Sequence, residues 1–95
     1  MSIRANQQEY QLPLANTPYL VLKENLTRIG LVIVNNNVAA TILTSFGQPM
    51  TGIGIPFAPN EKRVMDFVTP TDALYIQSTL SNATVVIEEH VRVTP

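Results

Sequence analysis

The sequence predicts an all-β fold: a single-domain antiparallel β-sandwich, jelly-roll or immunoglobulin-like, of seven or eight short strands with an extended N-terminal arm. Three observations carry this. Val, Ile and Thr make up 28 of the 95 residues, a composition suited to pleated, half-buried surfaces. Apolar residues alternate with polar ones in short runs, separated by turn-forming clusters every 8–12 residues or so. Finally, no run of ten or more residues carries a 3.6-residue apolar period, so no helix is called for. The length suits one domain, divided into an arm at 1–8 and a sandwich at 9–95.

The arm, Met1 to Gln8, is polar and extended. Glu9–Leu14 alternates, with Tyr10, Leu12 and Leu14 on one side, and Pro13 makes it an edge strand or a strand end. Asn16-Thr17-Pro18 turns the chain into a short strand at Tyr19–Lys23. Arg28–Asn37 (RIGLVIVNNN) contains the longest apolar run, Ile29 to Val34, and should be a central strand. Ile29, Leu31 and Ile33 fall on its core face; Gly30, Val32 and Val34 fall on the other. A strand apolar on both sides is normally covered on both. The second face is therefore expected under the Met50–Phe57 loop or against a neighbouring subunit.

Asn35-Asn36-Asn37 reads as a hairpin turn into Ala40–Phe46, because asparagine tolerates positive φ. Gly47–Pro59 holds three glycines and three prolines, with Met50, Ile53, Ile55 and Phe57 as its large apolar members. A packed loop with a short strand at 53–57 fits that pattern. Lys62–Val68 is a strand with Met65 and Phe67 on one side. Thr69-Pro70-Thr71-Asp72 turns it into Ala73–Thr79, and Ser81-Asn82 is a hairpin turn into Thr84–Val93. On that last strand Val85, Ile87, Val91 and Val93 share a face with Glu89. The acid predicts a bulge there, or a position at the end of the sheet near water.

Composition excludes several classes of function. Net charge is −1 and only 14% of residues are charged, so no field steers nucleic acid or an anionic membrane. So sparse a charge suggests that part of the surface is covered. Cysteine is absent, which removes disulfides and thiolate chemistry. The first residues carry no apolar signal segment, so synthesis in the cytoplasm is expected. His90, the single histidine, lies on the polar face of the last strand between Glu88 and Arg92, without a nucleophile in its pattern. Asp66, Asp72, Glu88 and Glu89 form no metal-ligand spacing, and Gly52-Ile53-Gly54 lacks the rest of a phosphate loop. No catalytic, metal or cofactor residue is assigned. Large apolar residues in the 50–57 loop suit either the bottom of the sandwich or a partner surface.

The succession RIGLVIVNN, ILTSFG, GIPFAPNE, ALYIQS and TVVIEEHV, spanning Arg28 to Glu89, resembles small β-sandwich virion proteins of tailed bacteriophages. It departs from them at Ala58-Pro59-Asn60-Glu61, where their turn is glycine-rich. The resemblance implies a non-enzymatic capsid decoration (cement) protein, often a homotrimer, bound to the major capsid protein on the virion surface. A tail, baseplate or fibre-attachment component is the alternative, and a carbohydrate-binding module is a third. Contacts to the shell or between subunits would come from Ile3, Arg4 and Gln7 on the arm and from Met50, Ile53, Ile55 and Phe57 on the loop.

Overall fold

The computed structural model describes residues 2–49, 54–65 and 69–93. Eight strands are formed: β1 (Ser2–Leu12), β2 (Tyr19–Leu22), β3 (Arg28–Val34), β4 (Ile42–Phe46), β5 (Ile55–Phe57), β6 (Lys62–Met65), β7 (Leu74–Ser78) and β8 (Ala83–Val93). They build two four-stranded antiparallel sheets, β1-β8-β3-β6 and β2-β7-β4-β5. Only β4 and β5 are consecutive strands that pair, and every other connection crosses from one sheet to the other. That strand order is a jelly roll, which decides between the two sandwich types the sequence allows.

Crossing so often corrects two hairpins expected from sequence. β3 and β4 lie in different sheets, as do β7 and β8, so neither the asparagine run nor Ser81-Asn82 closes a hairpin. Positive φ occurs at Asn16, Asn60 and Asn82, and not in Asn35–Asn37. The three asparagines build a corner instead. Asn35 is fully buried; its Nδ2 donates to the carbonyls of Ala40 (2.8 Å), Phe57 (3.0 Å) and Ala58 (3.0 Å). Its Oδ1 accepts from the backbone and side-chain nitrogens of Asn37. Asn37 in turn donates to Thr84 O at 2.7 Å and accepts from Thr84 N at 3.0 Å. A side-chain amide thus continues the β3–β8 ladder past the end of β3, leaving the backbone free to change sheets.

The core follows the alternation. Leu31 and Ile33 from β3, Val85 and Ile87 from β8, Ile42 from β4 and Leu74 and Ile76 from β7 are buried, joined by Leu12, Leu22 and Phe57. Phe57 sits between the sheets. It therefore does not cover Val32 and Val34, which are half-buried on the outer side of β3. Met50, Ile53 and Phe67 lie outside the described residues.

At one end of the sandwich the core face ends in charge. β3 carries a register shift between Arg28 and Gly30, so Ile29 is the extra residue. It leaves the core face it was expected to share with Leu31, and Arg28 turns inward in its place. The Arg28 side chain is fully buried, with Nε donating to Glu89 Oε2 at 2.6 Å. Nη1 donates to Pro70 O (2.8 Å) and Asp72 O (2.9 Å), and Nη2 to Lys23 O (2.9 Å). The bulge predicted at Glu89 is thus on the neighbouring strand. Its physical reason is the need to aim a guanidinium at that acid.

Breaking such a pair from one side leaves a buried charge and several carbonyls without donors. Arg28→Met should cost on the order of 3–5 kcal/mol in denaturant unfolding. Arg28→Met combined with Glu89→Leu should recover a substantial part of it. A double variant no more stable than the single one would show that the carbonyls, and not the acid, set the cost.

Candidate assembly interface

A jelly roll has four sheet edges, and each must deal with unpaired backbone groups. β5 is three residues long and contains Pro56, which has no N–H to offer. β2 is four residues long and is broken by a register shift between Leu20 and Leu22. β6 is also four residues long and carries Lys62 and Arg63. Arg63 faces inward, lies 4.4 Å from the Phe57 ring centroid and pairs with Glu61 at 2.9 Å, closing the gap between the β5 and β6 edges. Each of these edges carries a proline, a bulge or charge that resists strand addition.

β1 differs. It runs eleven residues, pairs with β8 at every position from Ser2↔Val93 to Leu12↔Ala83, and has no neighbour on its other side among the described residues. It contains no proline and no bulge, and Arg4 and Glu9 are its only charges. Which backbone groups are free follows from the ladder. Thr84 and Arg92 direct their N–H groups toward β3, to Asn37 and to Thr27 O. In an antiparallel ladder the groups alternate in direction. The odd residues of β8 therefore bond β1, through Ser2, Arg4, Asn6, Gln8, Tyr10 and Leu12. Ile3, Ala5, Gln7, Glu9 and Gln11 are left with both N–H and C=O pointing away from the sheet.

The candidate contact residues divide accordingly. Ile3 is 61% exposed and Gln7 is exposed; both present backbone groups at the open edge and side chains on the outer face. Arg4 is exposed too, but its side chain is on the opposite face and its backbone pairs with Val91. Ile55 is 46% exposed on β5. Phe57, offered by the sequence as a contact, has no exposed surface and belongs to the core. Met50 and Ile53 lie outside the described residues. What sequence reading missed is the extent of β1: residues 2–8 read as an arm because they lack apolar alternation, yet they pair with β8 as one strand.

Other groups serve the fold. His90 lies over Gly30: a Cβ placed there would come within 2.8 Å of His90 Nδ1 and 3.1 Å of its Cβ. Glu88 Oε2 is 3.5 Å from His90 Nε2, with both side chains about a third exposed. Tyr10 and Tyr19 pack on the core, and Tyr75 lies on the outer side of β7, so the three tyrosines form no shared sugar platform. Burial pushes the Tyr10 hydroxyl up, and the negative charge of Glu89 adds to it. Among the described residues no three His, Cys, Asp or Glu side chains converge as metal ligands.

No family model matches the chain, and no curated protein matches its sequence. One solved structure that matches comes from Bacillus endospore appendages, described as forming a novel family of disulfide-linked pili. It aligns over 98% of this chain and 90% of its own, with a TM-score of 0.57 and 15% identity. Identity that low shows a shared fold.

This overturns the resemblance to phage virion proteins. A structure that matches along nearly the whole chain is an appendage protein, and neither a family model nor a curated protein supports the phage motifs. The reasons are visible in the structure. RIGLVIVNN is a central strand with its buried arginine and corner asparagine, and ALYIQS is a core strand of the facing sheet. Both satisfy a jelly roll and say nothing of a capsid. The cement function, the major capsid protein as partner, the homotrimer and the virion surface location all depended on that resemblance, and all are withdrawn with it.

Two outcomes check the side-chain geometry. Gly30→Ala should destabilise by roughly 1–3 kcal/mol through overpacking against His90, outweighing the roughly 0.4–1 kcal/mol gained from a stiffer unfolded chain. With His90→Ala already present, the penalty should shrink, because only the contact with the Cβ of residue 90 at 3.1 Å remains; an undiminished penalty would rule out the ring as the cause. Glu61 is held below the usual carboxylate range, first by the Ala58 N–H (2.8 Å) and then by Arg63. Its stabilisation is present above an ordinary glutamate pKa of about 4.3 and is lost as pH falls through the lower folded value. Glu61→Gln should therefore lower Tm at pH 7, by an amount that shrinks as pH falls through that lower value; a gap independent of pH would refute this.

Proposed function

We propose that this chain is a non-enzymatic structural subunit that assembles with copies of itself into a fibre, in which edge-to-edge pairing of β1 joins two copies and a second surface links the pairs. The observation that carries this is the contrast among the four edges. Three are obstructed, while the fourth offers five outward N–H and five outward C=O groups along eleven residues. An added antiparallel strand satisfies all of them, and main-chain hydrogen bonding supplies affinity without a deep pocket. Each such bond is worth about 0.5–1.5 kcal/mol net, so a full row can offset part of the roughly 4–15 kcal/mol lost on association.

Likeness to an appendage that forms pili supports the fibre reading. The two differ in chemistry, because the 95 residues here contain no cysteine. A fibre of this chain is held by strand addition and packing, without disulfides from these residues. Ile3 and Gln7 belong to that interface, and Arg4 lies beside it on the opposite face of the strand.

Gln7→Pro tests the edge directly. Gln7 N–H faces away from β8, so proline removes an outward donor and leaves the ladder to β8 intact. Pairing with Ala5→Pro strengthens the block. Assembly followed by sedimentation and negative-stain microscopy should be lost in the double variant, while the melting temperature moves by only a few degrees. Fibres or oligomers equal to those of the parent chain would refute the β1 edge as the interface.

A further inference from the structure

The hydrogen-bond pattern of the open β1 edge restricts how a second copy can meet it. Ile3, Ala5, Gln7, Glu9 and Gln11 direct both backbone groups outward, while the even residues direct theirs to β8. In an antiparallel pair, residues that exchange bonds lie opposite one another and both point across the gap. An odd residue of one copy therefore faces an odd residue of the other. In a parallel pair the slanted bonds set a residue that points across the gap against one that points away. Two identical edges thus cannot meet in parallel about a two-fold axis. What remains is a set of antiparallel registers separated by steps of two residues.

We infer that β1 pairs with β1 of a second copy about a two-fold axis through Gln7, joining two β1-β8-β3-β6 sheets into one sheet of eight strands. This rests on the self-assembly reading and specifies its first interface. Ile3 faces Gln11 of the second copy, Ala5 faces Glu9, and Gln7 faces Gln7. All five outward residues of each copy are used, which gives ten hydrogen bonds. One step to either side leaves Gln11 of both copies, or Ile3 of both, without a partner strand and reduces the bonds to eight. Two steps in one direction set Glu9 against Glu9, a like-charge pair that destabilises a ladder. Burial along β1 agrees with the centred register. Leu12 is fully buried and Tyr10 half-buried, whereas Arg4, Asn6 and Gln8 on the same face are exposed. The second sheet therefore covers only one end of β1. Pairing about Gln7 lays the covered end of each copy beside the bare end of the other, so the two second sheets lie at opposite ends of the joint sheet. It also sets Arg4 opposite the half-exposed Tyr10 ring of the second copy, within reach of a cation–π contact. Such a contact is isologous and closes on itself, so it makes pairs and nothing larger.

Introduced cysteines read the register, because the chain has none of its own. Residues 3, 5, 7, 9 and 11 are all exposed, and circular dichroism with thermal melting verifies that each variant folds. Opposed residues in this register sit about 5.5 Å apart between Cα atoms, within disulfide reach, whereas diagonal neighbours at about 7–8 Å lie beyond it. Under mild oxidation Gln7→Cys should form a covalent dimer. Ile3→Cys and Gln11→Cys should each stay unlinked alone and link to one another when mixed, as read on non-reducing gels and by mass spectrometry. Linkage of Ile3→Cys to Glu9→Cys, or of Ala5→Cys to Gln11→Cys, would overturn the Gln7 axis while leaving β1 pairing in place. Oligomers that form with no link in any of these variants or mixtures would overturn the pairing of β1 with itself. Whether the β1 edge is used at all is judged separately, by the effect of the two prolines on the unmodified chain.

Discussion

The buried guanidinium of Arg28 is the constraint on which the rest of the sandwich end depends. Its four hydrogen bonds reach β8, the β2–β3 connection and the β6–β7 connection at once. Two connections that cross between sheets are thereby tied to one side chain of the central strand. The irregularity of β3 is what allows this, because without an extra residue at Ile29 the arginine faces outward and an isoleucine takes the core position. A charge placed there is not a cheap way to fill a core, since desolvation opposes it. It selects one arrangement of loops, because only carbonyls placed as those of Lys23, Pro70 and Asp72 are can satisfy it.

A matching device closes the other end with neutral groups. Asn35 gathers three carbonyls and passes its oxygen to Asn37, which behaves like one more residue of strand β3 facing Thr84. The central strand is therefore anchored by a cation at its start and an amide at its finish. Both anchors leave the sheet faces to ordinary apolar packing, so loop geometry and core packing are specified by separate residues.

Strand placement was legible in the sequence wherever alternation reported burial: Leu74 and Ile76, Val85 and Ile87, Leu31 and Ile33 all face the core. Strand pairing was not legible. A turn-rich asparagine run looks the same whether it closes a hairpin or crosses to a second sheet, because local φ preferences carry no information about the partner. β1 escaped for a related reason. Ser2–Glu9 is exposed on both sides, so no period-2 pattern marks it, and only its ladder with β8 makes it a strand. The edge proposed for assembly is the part of the chain on which core burial left no signature. Motifs drawn from the core could suggest a family but not an assembly.

The same logic explains why the β1 edge is informative where the apolar patches are not. Half-exposed valines on the outer side of β3 are compatible with a monomer, since folded surfaces are largely apolar in any case. An eleven-residue row of unpaired peptide groups is different, because such a row templates pairing with another chain unless something blocks it. The chain blocks its other edges with Pro56, a bulge at β2 and charges on β6, so the means of protection are present in this fold. Along β1 proline and bulge are absent and only Arg4 and Glu9 are charged, which is a local property of that strand. A long, regular and nearly uncharged edge beside three that are obstructed is the contrast on which the proposed assembly rests.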